Sequence, residues 1–300
     1  MSMKFVDRLD AAQAQTRTPA LIGIDPHLDL LPEEYALARD PKADRTARAE
    51  TMQAFCCELL ELLPGKVSIV KPQSAFFEVL GAPGALAFEK VVEHAHGLGL
   101  LVLGDVKRND IASTASAYAH AFLGDQAHHC DAITVTPYLG PDTLLPFTEV
   151  CSATNAGLYV LVRTSNPGSG SFQLHGTPPL WAVIAAEVER AGAELRGECG
   201  YSSVGAVVGA THASELAEIR AAMPHTPFLL PGYGAQGAGA KDIVPAFVDA
   251  EHPWRGGLVN SSRGIAFAWR KSPGKHWKDA SSEALEHMLK DLDQALQIKR

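Results

Sequence analysis

The stretch LLVLGDVKRNDI, residues 100–111, is the most informative part of this chain. Its first five residues are apolar or glycine, which is typical of a buried strand, and charged residues follow directly. Residues two apart on a strand point to the same side, so Asp105 and Lys107 are predicted to share a face. A buried strand that ends in paired acids and lysines indicates a functional site at its carboxyl end.

Short apolar runs alternate with helical patterns along the whole chain. Eight strands are predicted, at residues 20–24, 67–70, 100–103, 132–135, 157–162, 204–208, 227–230 and 257–259. Helices are predicted between them, at about 43–63, 84–97, 112–123, 141–153, 179–195, 213–222 and 240–248, with one before the first strand and another at about 281–297. This order predicts an α/β fold: one (β/α)8 TIM barrel with extra loops and terminal helices, a single domain over residues 1–300. An open doubly wound sheet remains the alternative.

Composition excludes several classes of protein. The chain is 46% apolar and 20% charged, which suits a globular core, and its net charge of −8 argues against a general binder of nucleic acid or membrane surfaces. Five cysteines without metal-ligand spacing, and twelve histidines without a motif such as HExxH, indicate reduced thiols and no metal site. No signal peptide or membrane span is expected, so the protein is predicted to be cytoplasmic.

Charged residues at three strand ends predict one site. Asp25 follows the first strand, Lys71 follows the second, and Asp105, Lys107 and Asp110 follow the third. In a barrel these ends meet at one mouth. Buried charges persist only when they are paired, so the acids and lysines are expected to compensate one another, with Lys107 as a proton donor beside a carboxylate. Solvated ion pairs around a barrel rim are the alternative.

The loops after strands seven and eight are predicted to bind phosphate, as they often do in barrels. Gly232, Gly234 and Gly237 allow backbone amides to approach an anion closely, although such a loop is also an ordinary turn. Arg263 can hold a phosphate with its planar guanidinium, and Gly264 opens a helix whose N-terminus favours negative charge. After strand five, the glycine- and serine-rich residues 166–171 suit a mobile lid.

Together these motifs resemble the orotidine 5′-phosphate decarboxylase family, over roughly residues 18–270. The matching positions, in the family's order, are Asp25, Lys71, the D-x-K-x-x-D-I signature at Asp105, Lys107, Asp110 and Ile111, PGYGAQG at 231–237, and Arg263. The sequence GDVKRNDIASTA, at 104–115, is similar to that of the longer bacterial members of the family. Extra sequence after strand one and around 171–200 sets the chain apart from shorter members.

The resemblance implies a reaction: decarboxylation of orotidine 5′-phosphate to UMP in pyrimidine biosynthesis, without a cofactor. Lys107 would donate a proton to C6 of the pyrimidine. Asp105 would lie near the substrate carboxylate, and Lys71 would hold the charged array and touch the ribose.

The resemblance also implies how substrate is held. Asp25 would bind a ribose hydroxyl and Ser165 the pyrimidine ring. The phosphate-binding residues would be Gln236, Arg263 and Gly264, with Tyr233 as a helper. The protein would be a homodimer with shared active sites, in which Asp110 and Thr114 reach into the partner's site.

Three other functions are compatible with the same residues. One is a magnesium-dependent phosphosugar decarboxylase or synthase on the same barrel. Another is an aldolase with Lys71 or Lys107 as a Schiff base, which is disfavoured because neighbouring carboxylates keep a lysine protonated and therefore non-nucleophilic. The third is a non-catalytic sensor of a phosphate ligand.

Overall fold

The computed structural model describes residues 3–124, 126, 128–210, 213–234 and 239–299. Eight parallel strands form one closed barrel in chain order, and the last strand pairs back onto the first. The strands are β1 Ala20–Ile24, β2 Ile69–Pro72, β3 Leu101–Arg108, β4 Ala132–Val135, β5 Gly157–Arg163, β6 Val204–Val208, β7 Phe228–Leu230 and β8 Gly257–Ser261. The predicted (β/α)8 barrel is confirmed, and the open sheet is excluded.

Helices surround the barrel and connect its strands. They are α1 Phe5–Thr16, α2 Arg45–Leu60, α3 Ser74–Glu78, α4 Ala82–Gly97, α5 Ala112–Phe122, α6 Leu145–Thr154, α7 Gly170–Gln173, α8 Leu180–Ala191, α9 Ala213–Ala222, α10 Arg263–Ala266 and α11 Trp277–Leu296. Among the helices of the described residues, none combines the length and the apolarity that crossing a bilayer requires.

The two ends of the barrel interior differ in polarity. In the lower part, Leu21, Ile69 and Tyr159 belong to an apolar cluster that α1 completes by inserting Phe5 and Leu9. These side chains close the amino-terminal end of the barrel, since burial of apolar surface is favourable. The charged residues Lys71 and Asp105 lie further along the same strands, so the residues predicted to form the site are at the carboxyl end.

The connections after β7 and after β1 both contain 3-10 helices. The β7–β8 connection holds a 3-10 helix, Ala240–Ala246, where an ordinary helix is predicted. Pro245 explains the difference, because proline lacks an N–H and its ring clashes with the preceding turn of an α-helix. The long connection after β1 contains two further 3-10 helices, Leu28–Leu30 and Glu33–Arg39.

The C-terminal helix α11 packs through aromatic rings against α2 and the connection after β1. Trp277 lies 5.0 Å from Phe55 of α2 between ring centroids, and 6.0 Å from Tyr35 in the connection after β1. Phe55 also stacks on Phe267, which follows α10. Aromatic pairs at these distances add to the energy of burial, so the predicted terminal helix is part of the packed structure.

Candidate active site

The carboxylate of Asp105 is the centre of a buried polar cluster at the carboxyl end of the barrel. Its side chain, on β3, is only 9% exposed. Oδ2 accepts hydrogen bonds from Lys71 Nζ at 2.8 Å and from Gln73 Nε2 at 2.9 Å. Oδ1 accepts from Lys107 Nζ at 2.5 Å and from Thr134 Oγ1 at 2.9 Å. One carboxylate thus joins side chains from β2, β3 and β4. Asp105 with its lysine partners Lys71 and Lys107 forms the charged array of this site.

The charges of this cluster stabilise one another. Burial alone would raise the pKa of Asp105, but the positive charges of Lys71 and Lys107 outweigh it and hold that pKa far below its usual range. Burial alone would lower the pKa of Lys71, but the carboxylates of Asp105 and Asp25 raise it. The carboxylate and the buried lysine therefore both stay ionised near neutral pH.

Asp25 completes the acid–lysine alternation at the end of β1. Its Oδ1 lies 4.0 Å from Lys71 Nζ, which is an ion-pair distance without a hydrogen bond. This buried oxygen has no hydrogen-bond partner among the described residues. A buried acceptor without a donor is costly, so Asp25 is suited to receive a hydroxyl from a bound ligand.

The backbone at Lys107 departs from a regular strand. From Gly104 to Arg108 β3 advances four residues, while the paired residues of β4 advance only from Ile133 to Val135. Lys107 has a φ of +43°, in the left-handed region, which costs a non-glycine residue about 1–3 kcal/mol. The contact between Asp105 and Lys107 predicted from strand alternation is present, but a bulge produces it.

This bulge leaves the two lysines in different environments. The side chain of Lys71 is almost fully buried, whereas that of Lys107 is 46% exposed at the mouth of the barrel. Lys107 is therefore the ammonium group that an incoming ligand can reach, and Lys71 is the one that holds Asp105.

Among the described residues, Asp110 and Thr114 form no hydrogen bond or ion pair with the side chains of this cluster. Asp110 is partly exposed and accepts the backbone N–H of Ile111 at 2.8 Å, and among the described residues it forms no ion pair with either lysine. Thr114 is exposed in the first turn of α5. Between them, Ile111 is an apolar side chain that is 58% exposed. Within one subunit the structure does not bring this segment to the array.

Ser165 lies after β5 and packs against β6 where it ends. A Cβ added to Gly209 would meet Cβ of Ser165 at 2.9 Å, so the absence of a side chain at Gly209 allows this approach. The adjoining Arg163 is buried and donates to Glu215 Oε2 at 2.8 Å and to Ser169 Oγ at 2.7 Å. These bonds anchor the segment predicted as a lid, which forms a 3-10 turn at Pro167–Ser169 and the start of α7.

The predicted phosphate loops are only partly within the described residues. Gly232 and Gly234 have positive φ values of 110° and 72°, as a sharp loop requires. Arg263 is exposed at the first residue of α10 and forms no ion pair with any described residue. Gly264 follows it in α10, a helix of only four residues. Gln236 lies outside the described residues, as does Gly237.

Tyr233 points toward the C-terminal helix. Its hydroxyl donates to Asp291 Oδ2 of α11 at 2.7 Å. Burial, together with this hydrogen bond, raises the pKa of Tyr233. The hydroxyl is thus already engaged, and a role for Tyr233 in phosphate binding stays a prediction.

Two members of the cluster are not predicted from the sequence. Gln73 lies two residues after Lys71, so strand alternation could have placed it on the same face. Thr134 is the one polar residue in the apolar run AITV of β4, and a lone hydroxyl inside a buried strand is the signal that could have identified it. In the described part of the chain, no three His, Cys, Asp or Glu side chains converge to hold a metal ion.

Comparisons with known proteins agree with this geometry. Residues 38–278 match the model of the orotidine 5′-phosphate decarboxylase / HUMPS family. A Rhodopirellula baltica protein named orotidine 5′-phosphate decarboxylase is 43% identical over 97% of this chain and 99% of its own length. A solved Streptomyces avermitilis structure, assigned the same name, has a TM-score of 0.80 and 35% identity and covers 99% of this chain and 98% of its own. The solved OMP decarboxylase of Leishmania donovani has a TM-score of 0.77 and 28% identity, covering 99% of this chain and all of its own. The chain therefore belongs to the orotidine 5′-phosphate decarboxylase family of enzymes, as its signature predicts.

Proposed function

We propose that this protein decarboxylates orotidine 5′-phosphate to UMP in pyrimidine biosynthesis, without a cofactor. The observation that carries the proposal is the array in which Asp105 lies between Lys71 and Lys107 at the barrel mouth. Family membership supplies the substrate, because the relatives carry the name of this activity.

The proposed chemistry needs a cation beside a developing carbanion. When the bond between C6 and the carboxylate breaks, carbon dioxide leaves and the electron pair stays on C6. A preorganised ammonium group stabilises that charge, and Lys107 is the reachable one. Lys107 then gives its proton to C6 and recovers one from solvent. In this proposal Asp105 faces the substrate carboxylate, so loss of that carboxylate relieves repulsion between two anions.

The remaining site residues would bind the substrate on either side of this array. Asp25 Oδ1, buried and without a described partner, is suited to a ribose hydroxyl. Ser165 would contact the pyrimidine ring. Arg263 and Gly264, together with Gln236, would bind the phosphate. Tyr233 would be a helper once its hydroxyl leaves Asp291. Binding of the remote phosphate could supply energy for ordering the array.

We also propose a homodimer with shared sites. Asp110 is partly exposed and Thr114 is exposed, neither has a described contact with its own array, and the exposed Ile111 between them is suited to burial against a second subunit. Mixing Lys107→Ala and Asp110→Ala subunits tests this. In mixed dimers one of the two sites has neither substitution, so random mixing should restore about a quarter of wild-type activity. No recovery on mixing would contradict shared sites.

The cellular setting is part of the same proposal. All five cysteines are free, which suits a reducing compartment. We expect the protein in the cytoplasmic fraction, as one domain over its full length, in complex with orotidine 5′-phosphate or UMP rather than nucleic acid or membrane. Recovery in the membrane fraction would contradict this.

The experiment that tests the function is the absorbance of orotidine 5′-phosphate incubated with the purified protein, with and without EDTA. Loss of the orotate band in both samples supports the proposal. A magnesium-dependent phosphosugar enzyme is a second candidate, because the matching family is named orotidine 5′-phosphate decarboxylase / HUMPS and is therefore broader than the decarboxylase alone. No change in the orotate band, with turnover of a phosphosugar that EDTA abolishes, would establish that candidate instead. Nucleotide binding without turnover would indicate a sensor, and borohydride trapping of substrate would indicate an aldolase.

A further inference from the structure

The hydroxyl of Thr134 has two hydrogen bonds that meet at the catalytic array. Thr134 lies in β4 and is 1% exposed. Its Oγ1 accepts the backbone N–H of Lys107 at 3.0 Å. The same oxygen donates to Asp105 Oδ1 at 2.9 Å, the carboxylate oxygen that Lys107 Nζ also contacts. One hydroxyl therefore joins the backbone of Lys107 to the acid that holds its ammonium group.

The bulge in β3 explains why a side chain is needed there. The register passes from Gly104 opposite Ile133 to Arg108 opposite Val135, and no residue of β4 pairs with the residues between. Without a ladder partner, the N–H of Lys107 would lack an acceptor, and the hydrogen bond that satisfies it is partly buried. The Thr134 hydroxyl takes the place of the missing backbone acceptor and so stabilises the left-handed conformation of Lys107.

We propose that Thr134 is a positioning residue that sets the place of the Lys107 ammonium group for proton transfer. This inference rests on the proposed decarboxylation, in which Lys107 is the proton donor. One hydrogen bond of Thr134 holds the backbone N–H of Lys107. The other holds the Asp105 carboxylate, which in turn contacts the Lys107 ammonium group. A buried threonine that only fills space could be replaced by valine, which has the same shape.

The test compares Thr134→Val with Thr134→Ser in steady-state kinetics. We expect Thr134→Val to lower kcat about 10- to 100-fold with little change in KM, the loss for one hydrogen bond to a charged group that acts in the transition state. Thr134→Ser keeps the hydroxyl and should restore kcat to within about threefold, the margin we allow for a lost methyl group. If the valine variant does not fold, Thr134→Ala carries the same comparison with serine.

Thr143→Val is a matched control. Thr143 is also fully buried, and its hydroxyl donates to the carbonyl of Gly140 at 2.7 Å, away from the array. It should lose stability but keep wild-type kcat. Three results would overturn the proposal: an unchanged kcat in folded Thr134→Val, a serine variant as slow as the valine variant, or a change in KM alone. A wild-type protein inert toward orotidine 5′-phosphate would instead reject the proposed function.

Discussion

Replacing Lys71 by methionine should destabilise the protein far more than removing an ordinary lysine. The ammonium group is buried, 2.8 Å from Asp105 and 4.0 Å from Asp25. With an effective dielectric constant of about 20, these pairs have gross attractions of about 6 and 4 kcal/mol. Desolvation of the lysine offsets much of this. Since the substitution leaves carboxylates buried with fewer partners, the expected net loss in unfolding free energy is about 3–5 kcal/mol.

The assay is urea unfolding of wild type and Lys71→Met, with free energies extrapolated to water. Lys66→Met is the control, because the Lys66 ammonium group lies 4.0 Å from Glu286 with 35% of its side chain exposed. It should lose less than about 1 kcal/mol, as is usual for a surface ion pair. Adding Asp105→Asn to Lys71→Met should recover part of the loss, because the second substitution removes the buried carboxylate that has lost its buried lysine partner and keeps only Lys107.

The loss should also depend on pH in a definite direction. The pKa of Asp105 is held low in the folded state, so its contribution to stability is complete above its unfolded pKa of about 3.9 and declines as the pH falls below it. In Lys71→Met the pKa of Asp105 should rise. The difference from wild type should therefore be full at pH 7 and smaller below about pH 4. A loss under about 1 kcal/mol, or one equal at both pH values, would refute the idea of mutually compensating charges.

Three other substitutions test separate parts of the site and scaffold. Lys107→Ala should lower kcat by about 10⁴-fold or more while the protein still unfolds cooperatively, and near-normal turnover would reject Lys107 as proton donor. Arg263→Ala should raise KM about 10- to 100-fold with a smaller effect on kcat, and an unchanged KM would remove Arg263 from the phosphate site. Asp131 accepts hydrogen bonds from Val102 N, His96 and Arg8. Burial would raise the pKa of Asp131, but His96 and Arg8 lower it. Asp131→Asn should therefore lose about 1–3 kcal/mol in thermal unfolding at pH 7 and progressively less as the pH falls below about 4. A constant difference across pH would contradict that assignment.

The barrel could be predicted because its signals are local. An apolar run such as LLVLG, at 100–104, has the length and composition of a strand, and helical patterns separate it from the next run. When this strand–helix unit repeats eight times, a closed barrel is one of the few arrangements that bury every strand. The boundaries were less accurate, since β3 continues through Arg108 and β2 through Pro72, past the apolar residues by which strands are recognised.

The polar contacts were predicted only in part, because each depends on residues distant in sequence. Strand ends place Asp25, Lys71 and Asp105 at one mouth, and the structure brings them together. The same reasoning could not show that the Tyr233 hydroxyl turns to Asp291 on the last helix. That partner is selected by how the terminal helix packs, which no local pattern contains.

Periodicity and motif spacing are properties of neighbouring residues, so the number and order of the strands, the charged end of the barrel and the family signature could be predicted from the chain. Other features depend on the folded structure: the bulge at Lys107, the roles of Gln73 and Thr134 as partners of Asp105, and the anchoring of the segment after β5 by Arg163. The physical reason is that a buried charge or N–H must find its partner across strands. Which atom is within reach depends on the register between strands, and that register exists only once the barrel has closed.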